Sequence, residues 1–291
     1  MPGEPPPDVR TVRLGLELRH IRLEQNLTLQ KAHELLRRSV SSISRIEKGQ
    51  VKLPERDLPP ILDAYGITDP TRRAALLALT RASSKHAWWQ NYGKDMAALK
   101  DVISLENETT SIRTFESLFI PGLLQTSHYA AALFAANATR LPSHRIQRAT
   151  KIRMRRQEIL HRPDPPAFNA IMLEGALRQM VGGPAVMAEQ LHHLATMAEL
   201  AHIDLRILPF SAGAHPAGSS FTVVFAPTLG GDIVHTDQAS GGLFADDARI
   251  VQRYIVEFEA LRSIALDGDA TAALIRRLAA DLQPPLKEGR P

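Results

Sequence analysis

The chain has no cysteine in its 291 residues. That excludes disulfides and thiolate metal sites, and it suits a reducing cytoplasm. Long apolar runs are also missing. No stretch approaches the roughly 20 residues that a membrane-spanning helix needs, so no membrane partner is expected. The opening MPGEPPPDVR is proline-rich and lacks the apolar segment of a signal peptide. Residues 1–10 are expected to be a disordered tail, and 284–291 a second tail. Catalytic signatures are absent too. There is no GxSxG elbow, no P-loop, no dinucleotide fingerprint and no HExxH pair. No cofactor and no enzymatic activity are expected.

Charged residues are ordinary in number, at 23%, but the small net charge is unevenly placed. The net charge is +4, from 35 Lys and Arg against 31 Asp and Glu. Residues 1–84 hold 14 basic against 10 acidic side chains, and residues 85–291 hold 21 of each. The whole surplus therefore lies in the first third of the chain. That is the sign expected of a part that meets phosphate, although a mildly unbalanced solvated surface has the same count.

The most informative stretch is Thr28 to Gly49, TLQKAHELLRRSVSSISRIEKG. It reads as two short helices joined by a tight turn. Thr28 and Ser39 are the expected caps, because a hydroxyl there accepts from orphan first-turn amides. Leu29, Ala32, Leu35 and Leu36 give the first helix an apolar face. On the second, Ile43 and Ile46 point inward, while Val40, Ser41, Ser44 and Arg45 lie off the buried stripe. Gly49 ends the helix as a residue that tolerates positive φ. A small, polar, Arg-bearing helix face suits the DNA major groove. The DNA-binding candidates are Thr28, Arg38, Ser39, Val40, Ser41, Ser42, Ser44, Arg45 and Lys48. Arg45 is suited to guanine, Val40 to a thymine methyl, and Ser42 with the helix amides to phosphates.

The run from Ser39 to Gly49 resembles the Xre-type helix-turn-helix regulators. A larger pattern adds Glu106, PGLLQTSHYA (121–130), RMRRQEIL (153–160) and EGALRQMVGG (174–183), then QLHHLATMAE (190–199), ILPFSAGAH (207–215) and SFTVVF (220–225). Together these resemble actinobacterial WhiJ-like, antitoxin-like regulators over residues 14–282. The resemblance implies double-stranded DNA as a partner, and a small acidic protein encoded nearby as another. Two positions depart from the Xre pattern. His33 stands where Ala is usual, and Arg37 where a turn glycine is usual, so the turn geometry is where this chain should differ.

The organisation expected is α+β overall. Residues 11–83 should form an all-α, five-helix, repressor-like domain, with Leu14, Leu18, Ile21 and Leu23 on its first helix. An aromatic-containing linker covers 84–102. A mixed domain of helices and a largely antiparallel sheet covers 103–283, serving partner binding, dimerisation or sensing. Both tryptophans fall in the linker, so Trp88, Trp89 and Tyr92 are candidate partner-binding residues. So are Arg148, Arg155 and Arg156, from a basic cluster running from Arg145 to Arg162 with only Glu158 opposed. That cluster suits an acidic partner or flanking DNA; a solvated face is the plainer reading. The remaining polar groups, among them His192, His193, His202 with Asp204, His235 with Asp237, and Asp246 with Asp247, match no metal pattern. Three readings compete. A DNA-binding regulator that dimerises or binds a partner leads. A ligand-gated regulator is the alternative, with turns at Gly213, Gly218, Gly230, Gly231, Gly241 and Gly242 bordering a pocket. An enzyme domain tethered to DNA is third, and it needs a convergent site that the sequence does not display.

Overall fold

A computed structural model describes residues 9–80, 100–107, 109–136, 141–226, 231–236 and 243–282. They fall into two compact units. One extends to residue 108 and also takes Gly231, the first residue of a strand; the other takes Thr109–Ala226 and the described residues from 232 onward.

The first unit is helical: α1 (Val9–Glu24), α2 (Leu29–Leu36), α3 (Val40–Glu47), α4 (Leu58–Ala64), α5 (Pro70–Thr80) and α6 (Lys100–Asn107). Leu14, Leu18 and Ile21 of α1 are buried, but Leu23 is exposed. At 100° per residue, Leu23 lies 200° round from Ile21, outside the stripe. The caps form as expected. Thr28 Oγ1 accepts from the Lys31 amide at 3.1 Å, and Ser39 Oγ from the Ser42 amide at 3.1 Å. The apolar face of α2 is narrower than its sequence suggests. Ala32 is fully buried, while Leu35 is 44% exposed. Asp69 caps α5 through its carboxylate, with Pro70 at the first position. Gly49 ends α3 at φ +63°.

The turn between α2 and α3 accommodates both unusual residues. Arg37 takes the left-handed conformation (φ 52°, ψ 35°) that a glycine would adopt freely. His33 Nδ1 donates to the Arg38 carbonyl at 2.7 Å, which places its proton on Nδ1 and closes the turn.

The second unit holds a six-stranded sheet in the order β3-β2-β1-β4-β5-β6. The strands are β1 (Ser111–Glu116), β2 (Ala167–Leu173), β3 (Ile203–Leu208), β4 (Phe221–Ala226), β5 (Gly231–Thr236) and β6 (Leu243–Ala245). The α+β class holds, but the pairing corrects the largely antiparallel expectation. β1–β2 and β2–β3 are parallel; β1–β4 and β5–β6 are antiparallel. The cause lies in the connections. Helices α7 (Ser127–Ala135) and α8 (Ser143–Gln157) separate β1 from β2, and α9 (Glu174–Arg178) and α10 (Pro184–Met197) separate β2 from β3. Such long helical crossovers return the chain in the same direction.

Alternate residues of each strand feed two cores. Ile112, Phe168, Met172, Leu205 and Ile207 pack with α7, α10 and α12 (Gly268–Asp281). Phe115, Ile171, Phe221 and Val223 pack with Val251, Phe258 and Leu261 of α11 (Ala248–Ile264). Both faces are covered, as parallel strands require.

The turn Pro121–Thr126 is clamped by uncharged amides. Gln190 is fully buried; its Oε1 accepts from the Thr126 amide at 2.6 Å and its Nε2 donates to the Leu124 carbonyl at 2.7 Å. Gln125 donates to the Ile120 carbonyl and accepts from Arg153, both at 2.7 Å. Gln157 donates to the carbonyls of Gly122 and Gln125. A Cβ on Gly122 would stand 3.0 Å from Arg153 Nη1. The segments PGLLQT and RMRRQ thus meet as one hydrogen-bonded latch that fixes the inner side of α8.

Candidate nucleic-acid interface

Helix α3 presents two sides. Ile43, Ile46 and Glu47 are buried beneath it. Ser39, Ser41, Arg45 and Lys48 are exposed, and Val40, Ser42 and Ser44 are half-buried. Arg45 and Lys48 make no ion pair among the described residues, so their charges are available to a ligand. The Ser39 and Ser41 hydroxyls stand 3.1 Å apart at the helix start. Thr28 is exposed at the start of α2. The structure therefore brings the small hydroxyls and the arginine to one accessible side, with free amides at the N-terminal end.

Arg38 is differently placed. Its guanidinium bonds Asp57 at 2.7 Å, and both side chains are about one third exposed. Asp57 offsets its charge, and the pair ties the turn to the start of α4.

What holds α3 in place escaped the sequence reading. Arg22 of α1 meets Glu47 in a two-pronged ion pair, Nε–Oε1 2.6 Å and Nη2–Oε2 2.9 Å. Its Nη1 also donates to the Leu27 carbonyl at 2.7 Å. Both side chains are buried, and the hydrogen bond that Arg22 donates to Glu47 raises the Arg22 pKa. Tyr65 lies beside the pair; burial first, then the Glu47 charge, pushes its phenol up to about 12. Gly15 completes the contact. A Cβ there would meet the Ile46 carbonyl oxygen at 2.3 Å and that of Glu47 at 2.9 Å. Only hydrogen fits, so α1 lies backbone-to-backbone against the end of α3. Two signals pointed here: a glycine inside a helical pattern, and a Glu next to the inward Ile43 and Ile46. A void of about 10 Å³ beneath α3, lined by Leu18, Leu36, Ile43 and Tyr65 among others, has no room for an organic ligand.

In the second unit Arg148 and Arg155 are exposed on α8 and Arg156 is half-buried. Arg155 pairs with Glu158 at 2.9 Å. Trp88, Trp89 and Tyr92 lie outside the described residues, as do Asp237, Gly230, Gly241 and Gly242. The histidines do not converge. His192 Nδ1 donates to the Ala188 carbonyl, and His202 Nε2 to the Leu160 carbonyl. Burial lowers the His193 pKa. Asp204 is taken up by Arg206 and Arg262, and Asp247 caps α11. Among the described residues no group of three or more His, Asp or Glu side chains could hold a metal ion. No helix among them is long and apolar enough to cross a membrane.

Two capped helices about a tight turn, the second exposing hydroxyls and an arginine, define a helix-turn-helix DNA-binding regulator. Residues 13–76 match the family described as a helix-turn-helix domain. Residues 99–277, more than half of the chain, match the family described as a domain of unknown function (DUF5753), and the chain belongs to that family. No match was found among curated proteins, and none among solved structures.

Proposed function

We propose that this chain is a cytoplasmic, sequence-specific regulator of the Xre type, antitoxin-like in role, that binds duplex DNA as a homodimer on a pseudo-palindromic site. Each copy reads one half-site with α3, the two lying about one helical turn apart. Arg45 pairs with a guanine, Val40 and Ser41 contact neighbouring base edges, and Ser39, Ser42, Ser44, Thr28 and Lys48 hold phosphates. Arg38, held by Asp57, supports the turn at the edge of the DNA face. The second unit supplies dimerisation or recognition of a small acidic protein, and it performs no catalysis. The observation that carries this reading is α3 itself: an exposed Arg45 without an ion-pair partner among the described residues, beside exposed hydroxyls, on a helix fixed from below by Glu47 and Arg22.

The test is a binding comparison on a selected operator. Arg45→Ala should relax base preference at one position per half-site, at about 1–3 kcal/mol of discrimination. Lys48→Ala should instead weaken binding to every sequence and lower the salt slope by about one unit. If the two variants behave alike, these roles are wrong. Footprints confined to one unsymmetrical patch would count against the dimer.

A further inference from the structure

Helix α8 carries six cations, Arg145, Arg148, Lys151, Arg153, Arg155 and Arg156, and no carboxylate within its fifteen residues. Its two sides use them differently. The inner side grips the protein. Ile152 is buried, Arg153 bonds Gln125 and stacks at 4.9 Å over the Phe134 ring, and Gln157 holds the Gly122 turn. The outer side presents Arg145, Arg148, Lys151 and Arg155, all exposed.

These four recur at three- and four-residue intervals, so they form a row about 15 Å long with neighbours about 5–6 Å apart. Like charges at such spacing destabilise a helix. Arg145 also sits in the first turn, at the positive end of the helix dipole, where a carboxylate would be favoured and none is present. Neither Arg145 nor Lys151 has an ion-pair partner among the described residues, while Glu158 partly offsets Arg155 at one end of the row. A polyanion lying along the row would relieve the repulsions that remain.

The choice of polyanion follows from what the row lacks. Every fully exposed position from 143 to 155 is polar or charged. A protein interface is built round an apolar or aromatic centre. An interface with nucleic acid is more polar and much more positive, and duplex DNA carries one charge per about 1.7 Å of its axis. We infer that the outer side of α8 is a second, sequence-independent nucleic-acid contact, in which Arg145, Arg148, Lys151 and Arg155 hold the phosphate backbone of duplex DNA. The inference goes beyond base reading by α3 and does not need it.

The experiment uses the full chain and a mixed-sequence duplex without an operator, with affinity followed by fluorescence anisotropy from 50 to 200 mM salt. The triple substitution Arg145→Gln, Arg148→Gln, Lys151→Gln should make the plot of log affinity against log salt shallower by about 2.7 units, and Lys151→Gln alone by about 0.9. Circular dichroism is the check that each variant is folded, and the single surface substitution keeps the test open should the triple one misfold. Slopes equal to the wild type overturn the inference; equal slopes with lost binding to poly-glutamate replace it with a dock for an acidic protein. A wild-type chain without affinity for this duplex overturns the inference alone; one that also binds no selected operator overturns the proposed function as well. Should Arg45→Ala leave operator preference intact while the α8 variants lose slope, the base-reading proposal alone falls.

Discussion

Each unit fixes its outward-facing helix with a buried polar lock, and the two locks differ in kind. Under α3 the lock is charged: Arg22 and Glu47, 7% and 5% exposed, with two short hydrogen bonds between them. Beside α8 it is built mainly of neutral amides: Gln157 and Gln190 bond the backbone of the Pro121–Thr126 turn, and Gln125, which accepts from Arg153, bonds the Ile120 carbonyl. A charged pair is strongly directional, but its members are costly to separate, because each has given up water. Amides cost less to bury and less to lose, and they satisfy several backbone groups at once. A recognition helix has to meet base edges in a fixed register, and a rigid two-pronged pair suits that demand. A helix that meets only phosphates tolerates more freedom, and the amide latch is sufficient for it.

The comparison is broken most directly at Glu47. Glu47→Ala leaves the Arg22 charge buried without its partner, and such losses amount to about 3–5 kcal/mol. The expected outcome is loss of operator binding, with the first unit melting well before the second in a thermal scan of the full chain. A melting profile within a degree or two of wild type would remove the charged lock from the account. Gly15→Ala attacks the same contact without touching charge. A methyl group 2.3 Å from a backbone oxygen cannot be accommodated by a side-chain shift, so α1 and α3 must separate.

Next in size is Gln190→Leu in the neutral lock. It leaves the Thr126 amide and the Leu124 carbonyl without partners, at about 1–3 kcal/mol for each group that finds no water. Denaturant titration should show destabilisation of the second unit, with operator preference unchanged. With water on one of the two groups the cost is about 1–3 kcal/mol, at or below that of Glu47→Ala. The reverse order would mean that the amide latch is the tighter of the two.

Much of this was legible in the sequence, and the reasons for the rest are physical. Helix caps are local chemistry, so Thr28, Ser39 and Asp69 were readable from their neighbours alone. The exposed part of α3 followed from helical spacing, since Ile43 and Ile46 fix which side is inward. The parallel pairing of β1, β2 and β3 joins segments far apart in the chain, and local alternation carries no information on direction. Leu35 reads as core by spacing, yet an eight-residue helix offers only a narrow strip to its neighbours. The Arg22–Glu47 pair spans 25 positions and left only a faint trace, a carboxylate beside an apolar stripe. PGLLQT stood out as a motif, and its role as a latch appeared only with Gln157 and Gln190 in place.

A smaller effect separates the locks by pH. The phenol of Tyr65 is pushed up from 10 to about 12 by burial and by Glu47. A folded pKa above the unfolded one gives stability that is complete below pH 10 and is lost as pH rises through 12. At pH 11 the loss is on the order of 1 kcal/mol. The first unit should therefore weaken between pH 10 and 12, and Tyr65→Phe should flatten that part of the curve while leaving the second unit unchanged. An identical alkaline decline in the variant would assign the effect to other groups.

The smallest expected effect is a gain. Arg37 holds a left-handed conformation (φ 52°, ψ 35°) that costs an L-residue roughly 1–2 kcal/mol. Glycine adopts it without that strain, though its unfolded state is freer, which returns part of the difference. Arg37→Gly should stabilise the first unit by about 1 kcal/mol, a rise in melting temperature on the order of 5 °C for a unit of this size. The His33 hydrogen bond to the Arg38 carbonyl should persist, because it depends on the turn and not on the Arg37 side chain. Operator affinity provides the second readout. Arg37 is exposed, next to the start of α3, so a side chain kept there for phosphate contact would be revealed by weaker binding in the more stable variant. A variant that is both more stable and equally tight in binding would show that strain at the turn serves no purpose in DNA recognition. One that is less stable than wild type would mean that packing of the Arg37 stem outweighs the backbone strain.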